Sequence, residues 1–257
     1  MSDERTARVL ILGGTAEARA LAAALVAQGR PVITSLAGRV RDPALPVGEV
    51  RVGGFSTASR DGVAGLAAYL SDDHVGAVVD ATHPFAATIS ANAIAATSRT
   101  DTPLVRLQRP GWSDHPDASR WTWVDSVDQA VSAGAGSRRP FLTTGRQSLD
   151  RFLPWADRDV TVRVVDPPEF PLPERWHLIR SRGPYAYADD FALLRDAGSD
   201  LLVTKDSGGT HTAAKLSAAR DLGMRVVVID RPPSPAGVPV VASVAESLTW
   251  LDRVRTG

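Results

Sequence analysis

The chain has no cysteine among its 257 residues. That absence excludes disulfides, thiolate nucleophiles, iron–sulfur ligation by cysteine and cysteine-containing zinc sites. Net charge is absent too, with 29 basic against 29 acidic side chains. A neutral total argues against a general polyanion binder, so no nucleic-acid partner is expected. No apolar run approaches the ~18 residues needed to span a bilayer. The first eight residues are polar and carry no apolar signal core. A cytoplasmic protein without a membrane partner is the expectation. The five histidines, His74, His83, His115, His177 and His211, are scattered, with no H-x-H or H-E-x-x-H spacing. No metal site is expected. What remains is a chain with 44% apolar residues, ordinary for a globular protein of one large or two small domains.

Short apolar stretches alternate with helix-patterned ones. The pattern predicts strands at 8–12, 31–36, 49–52, 77–80 and 104–107. Helices are predicted at 17–28, near 62–70, and from the polar-cap-then-proline signal Thr82-His83-Pro84 to about 98. The stretch 109–125 breaks the rhythm with two prolines and three of the six tryptophans, and reads as a connection. A second series follows, with strands at 141–144, 160–165, 177–179, 201–204 and 226–230. Its helices fall at 127–134, 188–197 and 212–222, and a last one at 244–254. Apolar strands separated by helices mean parallel sheets covered on both faces. The expectation is an α/β protein of two doubly wound parallel-sheet units with a cleft between them. In such sheets ligands sit beyond the carboxyl ends of the strands. The polar punctuation of this chain falls at those ends.

The first such end is the richest. Val9-Leu10-Ile11-Leu12 runs into Gly13-Gly14-Thr15-Ala16-Glu17. A strand feeding a helix through two glycines aims bare N–H groups and the positive helix end at one point, which suits phosphate. This is not the G-x-G-x-x-G fingerprint, and a Gly-Gly turn also serves merely to pack helix on strand. Thr15 either caps the helix or donates to phosphate. Glu17 either lies beside the cofactor or suits the helix dipole in the first turn. An NAD site places an acid about 20 residues past the glycines. Here the region reads Thr34-Ser35-Leu36-Ala37-Gly38-Arg39-Val40-Arg41, with no acid before Asp42. Ser35 and Arg39 suit a 2′-phosphate, so NADP(H) is favoured; the alternative is that Arg39 and Arg41 belong to a solvated loop.

Further strand ends carry other chemistry. Asp80-Ala81-Thr82-His83 follows the fourth strand, and His83 either supplies a proton or caps a helix. In the second half, Thr144-Gly145-Arg146 and Lys205-Asp206-Ser207-Gly208-Gly209 put hydroxyls, backbone donors and a cation together. Arg180, Arg182 and Arg231 fall at similar positions. Singly each arginine reads as a surface residue; together the cations suit a ligand with several carboxylates.

These motifs together resemble the precorrin-6A reductase family of cobalamin biosynthesis. The matching pieces are Leu12 to Ala18, Ala37-Gly38-Arg39, Gly53-Gly54-Phe55, Asp80-Ala81-Thr82-His83-Pro84-Phe85-Ala86, Thr144-Gly145-Arg146 and Lys205 to Gly209. The resemblance implies reduction of one ring double bond of precorrin-6A by NADPH, giving precorrin-6B. It implies two Rossmann-like domains around a cleft, taken here as a cofactor domain at 1–108 and a substrate domain at 109–257, with room for a strand exchanged between them. Gly13, Gly14, Thr15, Ala16 and Glu17 would lie at the pyrophosphate, and Ser35 and Arg39 at the 2′-phosphate. Gly54, Phe55, Ala81 and Thr82 would complete the cofactor site. His83 and Asp80 are the catalytic candidates. Thr144, Arg146, Lys205, Asp206, Ser207, Gly208 and Arg231 would hold the carboxylates of the anionic tetrapyrrole. Handover of the ring to neighbouring pathway enzymes is a further expectation. The competing reading is a non-catalytic NADP(H)-binding sensor or assembly module.

Overall fold

A computed structural model describes residues 7–38, 44–210 and 212–256. The chain divides into two compact units, 1–109 with 233–257, and 110–232. Each holds one six-stranded sheet in which every pairing is parallel.

The first unit runs β1 (Arg8–Leu12), α1 (Ala16–Ala27), β2 (Val32–Leu36), β3 (Glu49–Val52), α2 (Gly62–Asp72), β4 (Val75–Asp80), α3 (Ala87–Thr100) and β5 (Leu104–Leu107). The second holds β6 (Thr122–Val124), α4 (Val127–Ala133), β7 (Pro140–Thr143), β8 (Val160–Val164), β9 (Trp176–Arg180), α5 (Tyr187–Asp196), β10 (Leu201–Lys205), α6 (Ala214–Asp221) and β11 (Arg225–Ile229). A 3-10 stretch, Arg146–Trp155, follows β7. The chain then returns to the first unit with β12 (Val240–Val241) and α7 (Val244–Thr256). Among the described residues, no helix is long and apolar enough to cross a membrane.

The continuous apolar run of β1 reflects burial on both faces. Val9 and Ile11 pack on one side with Leu21 and Leu25 of α1 and Leu251 of α7. Leu10 and Leu12 pack on the other with Leu66 of α2 and Ala93 of α3. In the second unit Phe141, Leu202 and Val228 join Leu194 of α5 and Leu216 of α6.

Strand order is β12-β5-β4-β1-β2-β3 in the first sheet and β6-β11-β10-β7-β8-β9 in the second. The order reverses between β1 and β4, and between β7 and β10. Ligand crevices form at such reversals, because the flanking crossovers leave on opposite faces.

Three sequence expectations are corrected. Residues 233–257 lie with the first unit, not with the second. The stretch 109–125 is not a mere connection: it supplies β6, and Trp112 and Trp121 are buried in the second unit's core. Each sheet thus takes as its sixth strand the one that chain order would give the other. The helix expected from Thr82 begins instead at Ala87. Asp80 Oδ1 accepts from the Thr82 N–H and hydroxyl, at 3.1 and 2.7 Å, and turns the chain there before a helix can start.

Candidate functional site

In the first unit the reversal is bridged by one hydroxyl. Thr15 donates to the carbonyl of Ala81 at 2.7 Å and accepts from the N–H of Ala18 at 3.1 Å. It is the N-cap of α1 and ties the β1 turn to the end of β4. Its proton is therefore spent on protein, and the sequence option of donation to phosphate is not the one adopted. The Ala81 N–H donates to Leu12 at 3.0 Å, closing the same junction. Gly13 lies flat against β2: its N–H donates to the Ser35 carbonyl at 2.9 Å. A Cβ there would stand 2.6 Å from Thr34 Cγ2. Gly14 has φ of 113°, which only glycine adopts readily. The result is a bare backbone leading into the first turn of α1, whose amides lack intrahelical acceptors. This cradle fits a pyrophosphate. Ala16 and Glu17 open the helix, and the Glu17 carboxylate is paired with Arg109 at 2.8 Å.

Asp80 is committed to structure. It is 3% exposed and takes Arg106, itself 4% exposed, at 2.5 Å through Oδ2, while Oδ1 holds Thr82. Arg106 also donates to Ser90 at 2.6 Å and to Gln108 at 2.7 Å. Both carboxylate oxygens of Asp80, one of the two catalytic candidates, are thus engaged by protein groups that position the Ala81–Thr82 segment. His83 Nδ1 accepts from the Phe85 N–H at 3.3 Å. In the neutral ring the proton then sits on Nε2.

The third cofactor loop differs from expectation. Phe55 is buried and packs edge-on against Tyr69, with ring centroids 5.5 Å apart. It is a core side chain. Gly54 accepts a hydrogen bond from Arg51 at 3.1 Å. Ser35 accepts from Arg51 as well, at 2.8 Å. Arg39 lies outside the described residues. Arg51 itself escaped the sequence reading, because 49–52 reads from the sequence only as a short strand.

In the second unit the reversal between β7 and β10 brings the two sequence motifs together. Thr143 pairs with Thr204, so Thr144 and Lys205 come next at adjacent strand ends. Thr144 is 2% exposed, and its hydroxyl oxygen has no hydrogen-bond partner among the described residues. Burial pushes the Lys205 ammonium below its usual range. Arg146 opens the 3-10 stretch and donates to the Pro167 carbonyl at 3.4 Å. Ser207 folds back on Lys205, its N–H donating to the Lys205 carbonyl at 2.7 Å.

Asp206 and Arg231, both expected to touch substrate, touch each other. Arg231 Nε reaches Asp206 Oδ2 at 2.9 Å, and Asp206 Oδ1 also accepts from the Trp112 N–H at 3.0 Å. The Trp112 indole donates to Gly209 at 3.0 Å. This network shapes the 206–209 loop and fixes its backbone donors. Arg180 and Arg182 are exposed. Among the described residues no group of three metal-ligating side chains assembles.

The two reversals hold different chemistries: a bare-backbone turn that fits phosphate in one unit, and hydroxyls with a half-buried ammonium in the other. A model of the family described as precorrin-6x reductase CbiJ/CobK matches residues 8–252. The chain belongs to this family. It is 48% identical over 245 residues to the precorrin-6A reductase of Rhodococcus erythropolis, covering 95% of this chain and 97% of that one. Identity to the precorrin-6A reductase of Mycobacterium tuberculosis is 47%, with the same coverages. The cobalt-precorrin-6A reductase of Priestia megaterium is 30% identical, over 87% of this chain and 90% of that one. A solved structure described as CobK precorrin-6A reductase superposes with a TM-score of 0.89 at 40% identity, covering 96% of this chain and 97% of its own. The precorrin-6x reductase family thus spans both units, and the fold is its pair of Rossmann-like sheets.

Proposed function

We propose that this chain reduces one ring double bond of precorrin-6A to give precorrin-6B, with NADPH as the reductant. Family membership over nearly the whole chain carries the reading. Higher identity to the relatives named for precorrin-6A than to the one named for cobalt-precorrin-6A favours the ring without cobalt.

NADPH when bound supplies the hydride, and a proton from water or a protein acid completes the addition. The protein's own part is binding and orientation. The Gly13 to Glu17 backbone holds the pyrophosphate. Thr15 and Asp80 fix the Ala81–Thr82 backbone around which the nicotinamide end is bound, and His83 presents its Nε2 proton there. The absence of an acid in 34–41 and the presence of Ser35 and Arg39 favour the 2′-phosphate over a free ribose hydroxyl. In the second unit Thr144, Arg146, Lys205, Ser207 and the Gly208 backbone hold substrate carboxylates. Asp206 and Arg231 hold that loop in shape.

Lys205→Met tests the substrate half. Losing a charged hydrogen bond is expected to raise the KM for precorrin-6A about ten- to hundredfold, with NADPH affinity unchanged. The same change has a stability signature. Burial disfavours the charged amine in the folded state, so below its folded pKa the ammonium costs stability. That cost fades as pH rises through the folded pKa toward the unfolded one. The methionine variant is therefore expected to melt above wild type at neutral pH, with the gap closing in alkali. A variant that melts lower at neutral pH and keeps its KM would remove Lys205 from the site.

A further inference from the structure

We propose that Arg51 is the residue that reads the 2′-phosphate of the nucleotide, with Ser35 as its positioning partner. The inference rests on the assignment of the first unit as the NADPH site.

Place is the first argument. β3 pairs with β2 in register, Ser35 opposite Arg51 and Leu36 opposite Val52. The Gly53 N–H donates to the Leu36 carbonyl at 2.9 Å, so the ends of the two strands are joined. A nucleotide whose pyrophosphate lies on the β1 turn places its adenosine ribose beyond the end of β2. Arg51 stands beside that end.

Charge is the second. Three other interior arginines have carboxylates: Arg106 has Asp80, Arg163 has Asp190 and Arg231 has Asp206. Arg51 is half-buried, and burial lowers its pKa. Yet its bonds go to neutral acceptors only: Ser35 Oγ at 2.8 Å, and the Gly53 and Gly54 carbonyls at 3.1 Å each. Among the described residues no carboxylate forms an ion pair with it. A partly desolvated guanidinium held by neutral oxygens gains strongly from an arriving anion.

Shape is the third. The guanidinium carbon lies 3.9 Å from the centroid of the Phe55 ring and 5.1 Å from that of Tyr69. Stacking on one face and three hydrogen bonds along the edge hold the fork rigid. Five N–H donors less these three leave the Nε proton and one on Nη2. Ser35 accepts from Arg51 and keeps its own hydroxyl proton to donate. This accounts for Phe55: the ring is the platform under the arginine.

The test uses adenosine 2′,5′-bisphosphate and 5′-AMP as calorimetric probes on the full chain, since they differ only in the 2′-phosphate. Wild type is expected to bind the bisphosphate at least about tenfold more tightly. Arg51→Gln is expected to bring the two affinities within about twofold by weakening the bisphosphate alone, and Arg51→Lys to retain part of the difference. A merely structural arginine would weaken both probes equally in Arg51→Gln, and that result overturns the inference. So does a larger loss of discrimination in Arg39→Ala than in Arg51→Gln. Wild type that fails to discriminate at all would overturn the NADPH assignment itself. Thermal unfolding of each variant confirms that the compared chains are folded.

Discussion

Asp80→Ala is expected to lower the unfolding free energy by about 3–5 kcal/mol, the usual cost of stripping one partner from a buried ion pair. Asp80 and Arg106 face each other across the β4–β5 pairing and are almost wholly removed from water. Without the carboxylate, Arg106 keeps only Ser90 and Gln108 as described hydrogen-bond partners. The Thr82 N–H and hydroxyl lose their acceptor in the same change. Because the Ala81 carbonyl anchors Thr15, the loss should also reach the phosphate cradle and weaken nucleotide binding. Urea unfolding measures the first effect. The double variant Asp80→Ala with Arg106→Met separates charge from packing: removing the stranded cation should restore a large part of the loss. An Asp80→Ala protein within about 1 kcal/mol of wild type would contradict this account of the pair.

Gly208→Ala is expected to cost about 3 kcal/mol or more in stability, and most of the substrate affinity. Gly208 has φ of 65°, where an L side chain costs about 1–2 kcal/mol. A Cβ would also stand 2.2 Å from the Pro110 carbonyl oxygen and 2.5 Å from Arg231 Nη2. The backbone contact cannot be relieved by a rotamer change. The loop must move, breaking the Gly209 N–H bond to Pro110 and straining the Arg231–Asp206 pair. Precorrin-6A KM should rise more than about tenfold, while binding of adenosine 2′,5′-bisphosphate stays within about twofold. Unchanged melting and unchanged KM would show that the 206–209 loop does not hold substrate.

Much of this was legible in the residues. Alternation of apolar strands and helices located ten of the twelve strands among the described residues, since two-face burial writes a continuous apolar run such as Val9 to Leu12. The two strands it passed over, β6 and β12, are three and two residues long. Their pairing partners β11 and β5 are distant in the chain, and periodicity carries no information on non-local pairing. That is why the boundary near 108 did not anticipate the return of 233–257. The site loops were legible because strand ends are where doubly wound sheets bind. What the sequence did not show is which donors are already spent. Thr15, Asp80, Asp206 and Arg231 look like ligand-binding groups in a one-dimensional reading, but each is consumed by a partner far away in the chain. Arg51 is the converse: an edge-strand arginine whose neutral hydrogen-bond acceptors and aromatic platform appear only in three dimensions.

The central claim is that the chain is a precorrin-6A reductase using NADPH. The most direct measurement follows the near-ultraviolet absorbance of NADPH when precorrin-6A is added to the purified chain, with the product examined by mass spectrometry. The account predicts oxidation of one NADPH per ring reduced, dependent on precorrin-6A, and a product heavier by two hydrogens. Nucleotide binding without precorrin-dependent oxidation would contradict it, and would leave a binding module in place of an enzyme.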